Sequence, residues 1–219
     1  MDEGSKQTYQ VLARKYRPST FEDMIGQEAM VTTLQNAFEA GRVAHAFMLT
    51  GVRGIGKTTM ARLLARALNY ESGSEAGPSV NLAELGKHCE LIMSSTHMDV
   101  LEMDAASRTG VDNMREMLDG VRYAPATARY KVYIIDEVHM LSAGAFNALL
   151  KTLEEPPDHA KFIFATTEIR KVPITVLSRC QRFDLRRVEA GALQAHLSGI
   201  CEKEGVKVSQ DGLALIARA

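Results

Sequence analysis

The chain has 219 residues, a net charge of −1 and 46% apolar residues. That is more than one average domain and enough to bury a sizeable core, while the near-neutral balance excludes a global field pulling the chain onto nucleic acid. Any DNA contact must come from local basic residues. The three cysteines, Cys89, Cys180 and Cys201, are widely spaced, which argues against a disulfide framework and for a reducing, cytoplasmic compartment. Met1–Gln10 is polar with no apolar run of a signal peptide, and the longest apolar runs are strand-length, so no membrane partner is expected.

Val11–Pro18 is basic and ends at a proline; on its own, Arg14, Lys15 and Arg17 read as a solvated face. Ser19–Gly26 is a turn-rich approach to a helix whose face is Met30, Leu34, Ala37 and Phe38 and which ends near Gly41. His45–Thr50 reads as a buried strand. It runs into Gly51-Val52-Arg53-Gly54-Ile55-Gly56-Lys57-Thr58-Thr59, which fits G-x-x-x-x-G-K-[ST] at every fixed position. Met60, Leu63, Leu64 and Ala67 follow at helical spacing. A glycine-rich turn with an exposed lysine is the bland alternative, but a strand before and a helix after are the context of a phosphate-binding loop. There the backbone N–H groups and helix N-terminus face phosphate oxygens. Lys57 is expected to reach the β/γ-phosphates of ATP or ADP, and the Thr58 hydroxyl to ligate Mg²⁺.

Periodicity is lost after Leu68. Glu71–Ser79 has loop composition, and a short helix is expected within Leu82–Ile92. His88, Cys89 and His97 match no zinc spacing, so a structural or surface role is expected for them. Val100–Met103 is a strand, Ser107–Gly110 a turn, and Val111, Met114, Met117, Leu118 and Val121 mark an amphipathic helix.

Lys131–His139 carries the second motif, a β-branched and aromatic run ending in Asp136-Glu137. At the end of a parallel strand the aspartate can face Mg²⁺ across the phosphate loop, and the glutamate can orient or deprotonate a water. An acidic strand end alone is weak evidence; following a phosphate loop, it is strong. Ser142 caps a helix through Leu153, stopped by Pro156-Pro157. Lys161–Thr167 is a further strand, whose terminal threonines are either ordinary or near the γ-phosphate. Arg179, in Ser178-Arg-Cys180, reads by itself as a surface residue. From about residue 189 the pattern turns helical: Leu193, Leu197, Ile200 and Cys201 mark one helix, and a second, capped by Ser209, starts at Asp211. An α/β nucleotide-binding domain, 1–188, followed by the start of a helical lid domain, 189–219, is the expected organisation.

Taken in order, Leu12–Pro18, Ile25-Gly-Gln27, Gly51–Thr59, Glu102–Arg108, Ile135–Leu141, Phe146–Pro157, Ala165-Thr-Thr167 and Ser178-Arg-Cys180 resemble the ATPase region of the gamma/tau family of bacterial DNA polymerase III. These are AAA+ P-loop motors of the clamp loader, with a central parallel sheet flanked by helices. The resemblance implies ATP hydrolysis that drives a sliding clamp onto primed DNA during replication. It implies as partners the other clamp-loader subunits in a ring or spiral, the clamp, and primer–template DNA. Glu137 would be the catalytic base, Asp136 would support the metal, and Thr167 would be the sensor beside the γ-phosphate. Arg179 would be an arginine finger entering the neighbouring subunit's site, a device that supplies on the order of 10³–10⁵ in rate. Tyr16, Arg17 and Pro18 would lie beside the adenine, and Arg108 and Lys151 would face DNA phosphates without base readout.

Two departures temper the resemblance. Many family members hold zinc through four cysteines, but here only Cys89 remains and Tyr70 replaces the first, so no zinc is expected. The family's second sensor arginine would follow the last residue, so the chain is expected to be a piece that folds and binds nucleotide but hydrolyses slowly. The competing readings are another AAA+ DNA-remodelling motor, for which no substrate-gripping loop is evident, and a non-hydrolysing nucleotide-binding scaffold, against which Lys57, Asp136 and Glu137 all speak.

Overall fold

The computed structural model describes residues 11–73, 75–107 and 110–218. Its elements run in chain order: α1 (Leu12–Lys15), α2 (Glu28–Glu39), β1 (Ala46–Thr50), α3 (Lys57–Leu68), β2 (Glu71–Ser72), β3 (Glu75–Ala76), α4 (Cys89–Met93), β4 (Val100–Asp104) and α5 (Val111–Asp119). After these come β5 (Lys131–Asp136), α6 (Ala143–Glu154), β6 (Ala160–Thr166), α7 (Ile174–Leu177), β7 (Gln181–Asp184), α8 (Ala190–Lys203) and α9 (Gln210–Arg218). The described chain forms two compact units, one of Thr20–Val188 and one pairing the segment that ends at Ser19 with Glu189 onward.

The larger unit is built on a five-stranded parallel sheet in the order β4-β5-β6-β1-β7. Its central strands are apolar on both faces because both faces are covered, and the strand period of two divides their side chains between two cores. Phe47, Leu49, Val132, Ile134, Ile163 and Ala165 point to the face packed by α2, α3 and α4. Met48, Tyr133, Ile135, Phe162 and Phe164 point to the opposite face, packed by α5, α6 and α7. β1 lies inside the sheet, between β6 and β7, while the chain leaves it to build β4 and β5 on the far side of β6. Connections after β1, β5 and β6 therefore converge at the C-terminal ends of neighbouring strands, where open α/β sheets bind ligands.

The expected helices at 57–68 and 143–154 are present, and Ser142 caps the latter by accepting from Ala145 N–H at 3.2 Å. Ser209 caps α9 by accepting from Gly212 N–H at 3.1 Å. Two local expectations need correction. The loop after α3 contains a small antiparallel hairpin, β2 with β3, turned by Gly73 at φ 54°. The helix looked for within Leu82–Ile92 is only α4, starting at Cys89. The Arg66 guanidinium accounts for the shortening: it donates to the carbonyls of Leu82 (2.8 Å) and Glu84 (3.0 Å), which a helix would have used internally.

In the smaller unit, α8 and α9 pack on each other, and Glu204 at the end of α8 accepts from Lys15 Nζ and Tyr16 Oη. Those two donors hold the Glu204 carboxyl below the usual range.

Candidate active site

The loop after β1 is shaped by glycine. Gly51 (φ 149°) and Gly56 (φ 95°) adopt backbone that side chains disfavour. A Cβ on Gly51 would also lie 3.2 Å from the Leu185 carbonyl, and one on Gly56 would lie 3.2 Å from Met24 Cε. The loop ends in the first turn of α3, with Gly56 as N-cap and Lys57 and Thr58 as the first helical residues. Lys57 is buried at 6% exposure, and its ammonium donates to the carbonyls of Gly51 (3.0 Å) and Val52 (3.1 Å). Val52, Arg53 and Gly54 are exposed; Ile55 and Thr59 are half-buried.

Facing the loop, Asp136 closes β5. Its Oδ2 accepts from the Thr58 hydroxyl at 2.5 Å, and its Oδ1 accepts from Glu137 N–H at 2.9 Å. Thr58 and Asp136 thus set a hydroxyl and a carboxylate side by side, the hard-oxygen donor set that suits Mg²⁺.

The chain then turns sharply, because Glu137 is left-handed (φ 47°) and its carbonyl accepts from Met140 N–H to close a 3-10 turn, Val138–Met140. A non-glycine residue held there costs on the order of 1 kcal/mol, a kind of strain that clusters at functional sites. The turn brings Glu137 Oε2 to the end of β6, where it accepts from Thr167 N–H (3.2 Å) and Thr167 Oγ1 (2.9 Å). The two threonines, equivalent by their place at the strand end, are separated by this geometry. Thr167 holds the glutamate, whereas Thr166 is fully buried and lies 2.9 Å from His139 Nδ1. Val52, Arg53, Asp136, Glu137, His139 and Thr167 line one cleft of about 670 Å³.

The remaining site candidates lie elsewhere. Arg179 sits just after α7, with Nη1 donating to the Thr175 carbonyl (2.7 Å) and Nη2 to Glu154 Oε1 (2.9 Å). Its neighbour Cys180 is pushed up to about 12 by burial, so it is a neutral packing thiol. Lys151 is exposed on α6 and lines a separate cleft of about 650 Å³ with Arg115 and Arg122 of the α5 side. Tyr16, Arg17 and Pro18 belong to the smaller unit. Arg108 lies outside the described residues. Cys89 is buried and its sulfur accepts from Arg66 Nε at 2.7 Å, so an arginine is the partner of this thiol.

The family described as DNA polymerase III, delta subunit, matches residues 26–189. The chain belongs to that family. Over 97% of its length it is 50% identical to the DNA polymerase III subunit tau of Escherichia coli (strain K12) and 48% identical to that of Bacillus subtilis (strain 168). Over 95% it is 48% identical to the DNA polymerase III subunit gamma of Buchnera aphidicola subsp. Acyrthosiphon pisum. It covers 32%, 37% and 57% of those proteins, so it spans about a third of the two tau relatives. The resemblance to the gamma/tau subunits therefore holds over nearly the whole chain.

Among solved structures, the Thermotoga maritima RuvB Holliday junction branch migration motor superposes with a TM-score of 0.63 at 21% identity, over 92% of this chain and 59% of that one. A gamma subunit-related protein from the same organism gives 0.54 at 18% identity, over 80% and 51%. Likenesses at that identity speak to fold alone. The fold of this DNA polymerase III family chain is the AAA+ P-loop type, a central parallel sheet flanked by helices. No helix among the described residues is long and apolar enough to cross a membrane.

Sequence reasoning missed His139 in the cleft, as it missed Asp104, which also lines it. The histidine stands within the quoted Ile135–Leu141 motif, but the strand-end pattern assigned it no role. Its side chain is only 5% exposed, and a histidine two positions after an Asp-Glu strand end was the available signal.

Proposed function

We propose that this chain is the ATP-binding and hydrolysing motor region of a clamp-loader subunit, working in the bacterial cytoplasm to load the sliding clamp onto primed DNA. The observation that carries it is the Glu137 carboxylate, held by Thr167 beside the Thr58–Asp136 pair at the mouth of a phosphate loop.

In this reading Gly51–Thr59 wraps the phosphates of ATP, and Lys57 exchanges the loop carbonyls for β- and γ-phosphate oxygens. Thr58 and Asp136 hold Mg²⁺, which neutralises charge on those oxygens. Glu137 accepts a proton from the attacking water, and Thr167, its present partner, marks the γ-phosphate position. Both residues stand on the ends of adjacent parallel strands, so the distance between base and sensor is set by the sheet. Tyr16, Arg17 and Pro18 cover the adenine. The division into a nucleotide-binding domain, 1–188, and the start of a lid domain, 189–219, belongs to the same proposal.

Arg179 is not among the residues lining its own cleft; in this reading it enters the site of the next subunit, so hydrolysis depends on assembly with partner subunits. Lys151 and Arg108 face DNA phosphates. These contacts are sequence-independent, as loading at any primed site requires.

The test is steady-state ATP hydrolysis by the full-length protein with its partner subunits, with and without ring clamp and primed DNA. Stimulation that needs both clamp and DNA is expected. A response to branched DNA without clamp would replace this reading with a DNA-remodelling motor, and absence of turnover in every mixture would replace it with a nucleotide-binding scaffold.

A further inference from the structure

His139 is a buried polar side chain that the reading above does not use. Its ring lies between two carboxylates and a hydroxyl. Nδ1 is 2.9 Å from Thr166 Oγ1 and 3.3 Å from Glu137 Oε2, and Nε2 is 3.6 Å from Glu168 Oε1. Thr166 is itself fixed, being fully buried and accepting from Glu168 N–H at 3.0 Å. Glu168 is held in turn by Lys171 Nζ, at 2.9 Å from Oε1 and 2.8 Å from Oε2.

The neighbours on the short side of the ring favour a proton on Nδ1. Glu137 Oε2 only accepts, so a lone pair on Nδ1 at 3.3 Å would repel it, whereas a proton there can be shared between Glu137 and Thr166. The longer approach to Glu168 tolerates an unprotonated Nε2, because Lys171 already balances that carboxylate. Glu137 Oε2 then accepts from Thr167 N–H and Thr167 O–H, with His139 Nδ1 as a third polar neighbour at 3.3 Å. The two Thr167 donors lie on the sensor side of the cleft. The contact from His139 comes from a side chain only 5% exposed.

We propose that His139 is a positioning residue for the proposed catalytic base: through Nδ1 it pins the Glu137 carboxylate from the protein side. The inference rests on the reading of Glu137 as the base. If Thr167 turns toward the γ-phosphate of bound ATP, Glu137 loses both of its Thr167 hydrogen bonds, and His139, 3.3 Å away, remains as the anchor that keeps the carboxylate aimed at the attacking water. Positioning of this kind acts on turnover and leaves ATP affinity alone, since His139 is not part of the phosphate loop.

The experiment compares His139→Ala, His139→Asn and His139→Gln in the full-length protein assembled with its partner subunits, with Glu137→Gln as reference. Each is measured for kcat and KM for ATP and for thermal unfolding. An asparagine amide can place a donor near the Nδ1 position; a glutamine amide reaches instead toward the Nε2 position. Loss of the anchor is expected to lower kcat about 10-fold in the alanine and glutamine variants, short of the ~10²-fold or greater loss for Glu137→Gln. KM should stay within about 2-fold, and asparagine should recover kcat to within about 3-fold of wild type. Equal losses in all three variants, accompanied by raised KM and lowered Tm, would make the histidine a packing residue and overturn the proposal. Should the alanine variant fail to fold, the asparagine–glutamine difference alone decides. An inactive Glu137→Gln beside unaffected His139 variants overturns only this inference. A fully active Glu137→Gln overturns the base assignment, and the positioning role falls with it.

Discussion

Two aspartates at opposite ends of the same parallel sheet show what each end is for. Asp136 closes β5 at the C-terminal end and takes one hydroxyl and one adjacent N–H, leaving acceptor capacity directed at the phosphate loop. Asp99 precedes β4 at the N-terminal end and is buried at 3% exposure. It accepts from the N–H groups of Ala126 (2.7 Å), Thr127 (2.8 Å) and Ala128 (3.0 Å) and from the Thr127 hydroxyl (3.1 Å). Burial pushes the Asp99 carboxyl up, but these four bonds outweigh it and hold the group below its usual range. The saturated carboxylate locks a loop to the sheet. The unsaturated one is available for chemistry, because a group with no spare acceptor sites has nothing to offer a ligand.

The largest effect expected is at the phosphate loop. Lys57→Ala should weaken ATP binding by about 30-fold to several thousand-fold, since truncating a buried charged donor costs about 2–5 kcal/mol. Its unfolding midpoint should hardly move. Titration with a fluorescent ATP analogue checks the first statement and thermal unfolding the second. Tight binding retained by the variant would remove the phosphate-loop assignment; a collapse in stability would erase the contrast between the two ends.

Asp99→Ala should do the opposite. It leaves the Ala126, Thr127 and Ala128 N–H groups without their acceptor, at a cost of roughly 2–4 kcal/mol in stability, while the folded fraction keeps wild-type ATP affinity. Acid sharpens the point. The Asp99 carboxyl is depressed in the fold, so its contribution is full above the ordinary carboxylate range and is lost as pH falls through the depressed value. Next to it, His97 Nδ1 accepts from Asp99 N–H at 3.0 Å, and its Nε2 lies 2.9 Å from His88 Nδ1. Burial, and then the neighbouring His88, hold His97 below its ordinary value, so the fold favours the neutral ring. That contribution is complete above about pH 6.5 and fades as pH falls below it. Unfolding midpoints measured downward from neutrality should therefore fall in two stages, with Asp99→Ala flattening the more acidic one and, by removing the charge that partly raises His97, deepening the other. A single stage unaffected by the variant would show that Asp99 carries no such weight.

The contrast also explains what could be read from the sequence. Phe47 and Leu49 against Met48, or Val132 and Ile134 against Tyr133 and Ile135, announce strands covered on both faces, and the loop glycines announce phosphate chemistry through local spacing. The N-terminal end carries no such signature. His88, His97 and Asp99 pair with one another and with residues 126–128 only after the chain folds. Arg66 ends a helix before it begins by taking carbonyls from Leu82 and Glu84 across a loop. Lys161 opens the expected strand Lys161–Thr167, yet it is 3% exposed with its ammonium 5.0 Å from the Tyr130 ring. In the site itself, spacing named Lys57, Asp136 and Glu137 but could not divide Thr166 from Thr167, because that depends on which of them meets Glu137 and which meets His139.

The smallest effect separates both aspartates from an acid on the surface. Glu154 pairs with Arg179 at 2.9 Å, but the two side chains are 55% and 35% exposed. Water screens such a pair and side-chain entropy opposes it, so it contributes at most about 1 kcal/mol. Glu154→Gln should therefore shift Tm by no more than about 4 °C, against the much larger fall for Asp99→Ala. ATP binding should be untouched, since neither residue lines the cleft. A large loss of stability would mean that Glu154 organises the turn around α7 as Asp99 organises the loop at residues 126–128. A small loss leaves Arg179 held only by a weak, exposed pair and by the Thr175 carbonyl. In the role proposed for it, Arg179 would exchange these partners for a phosphate in a neighbouring subunit, and each increment of stability at home would subtract from binding there.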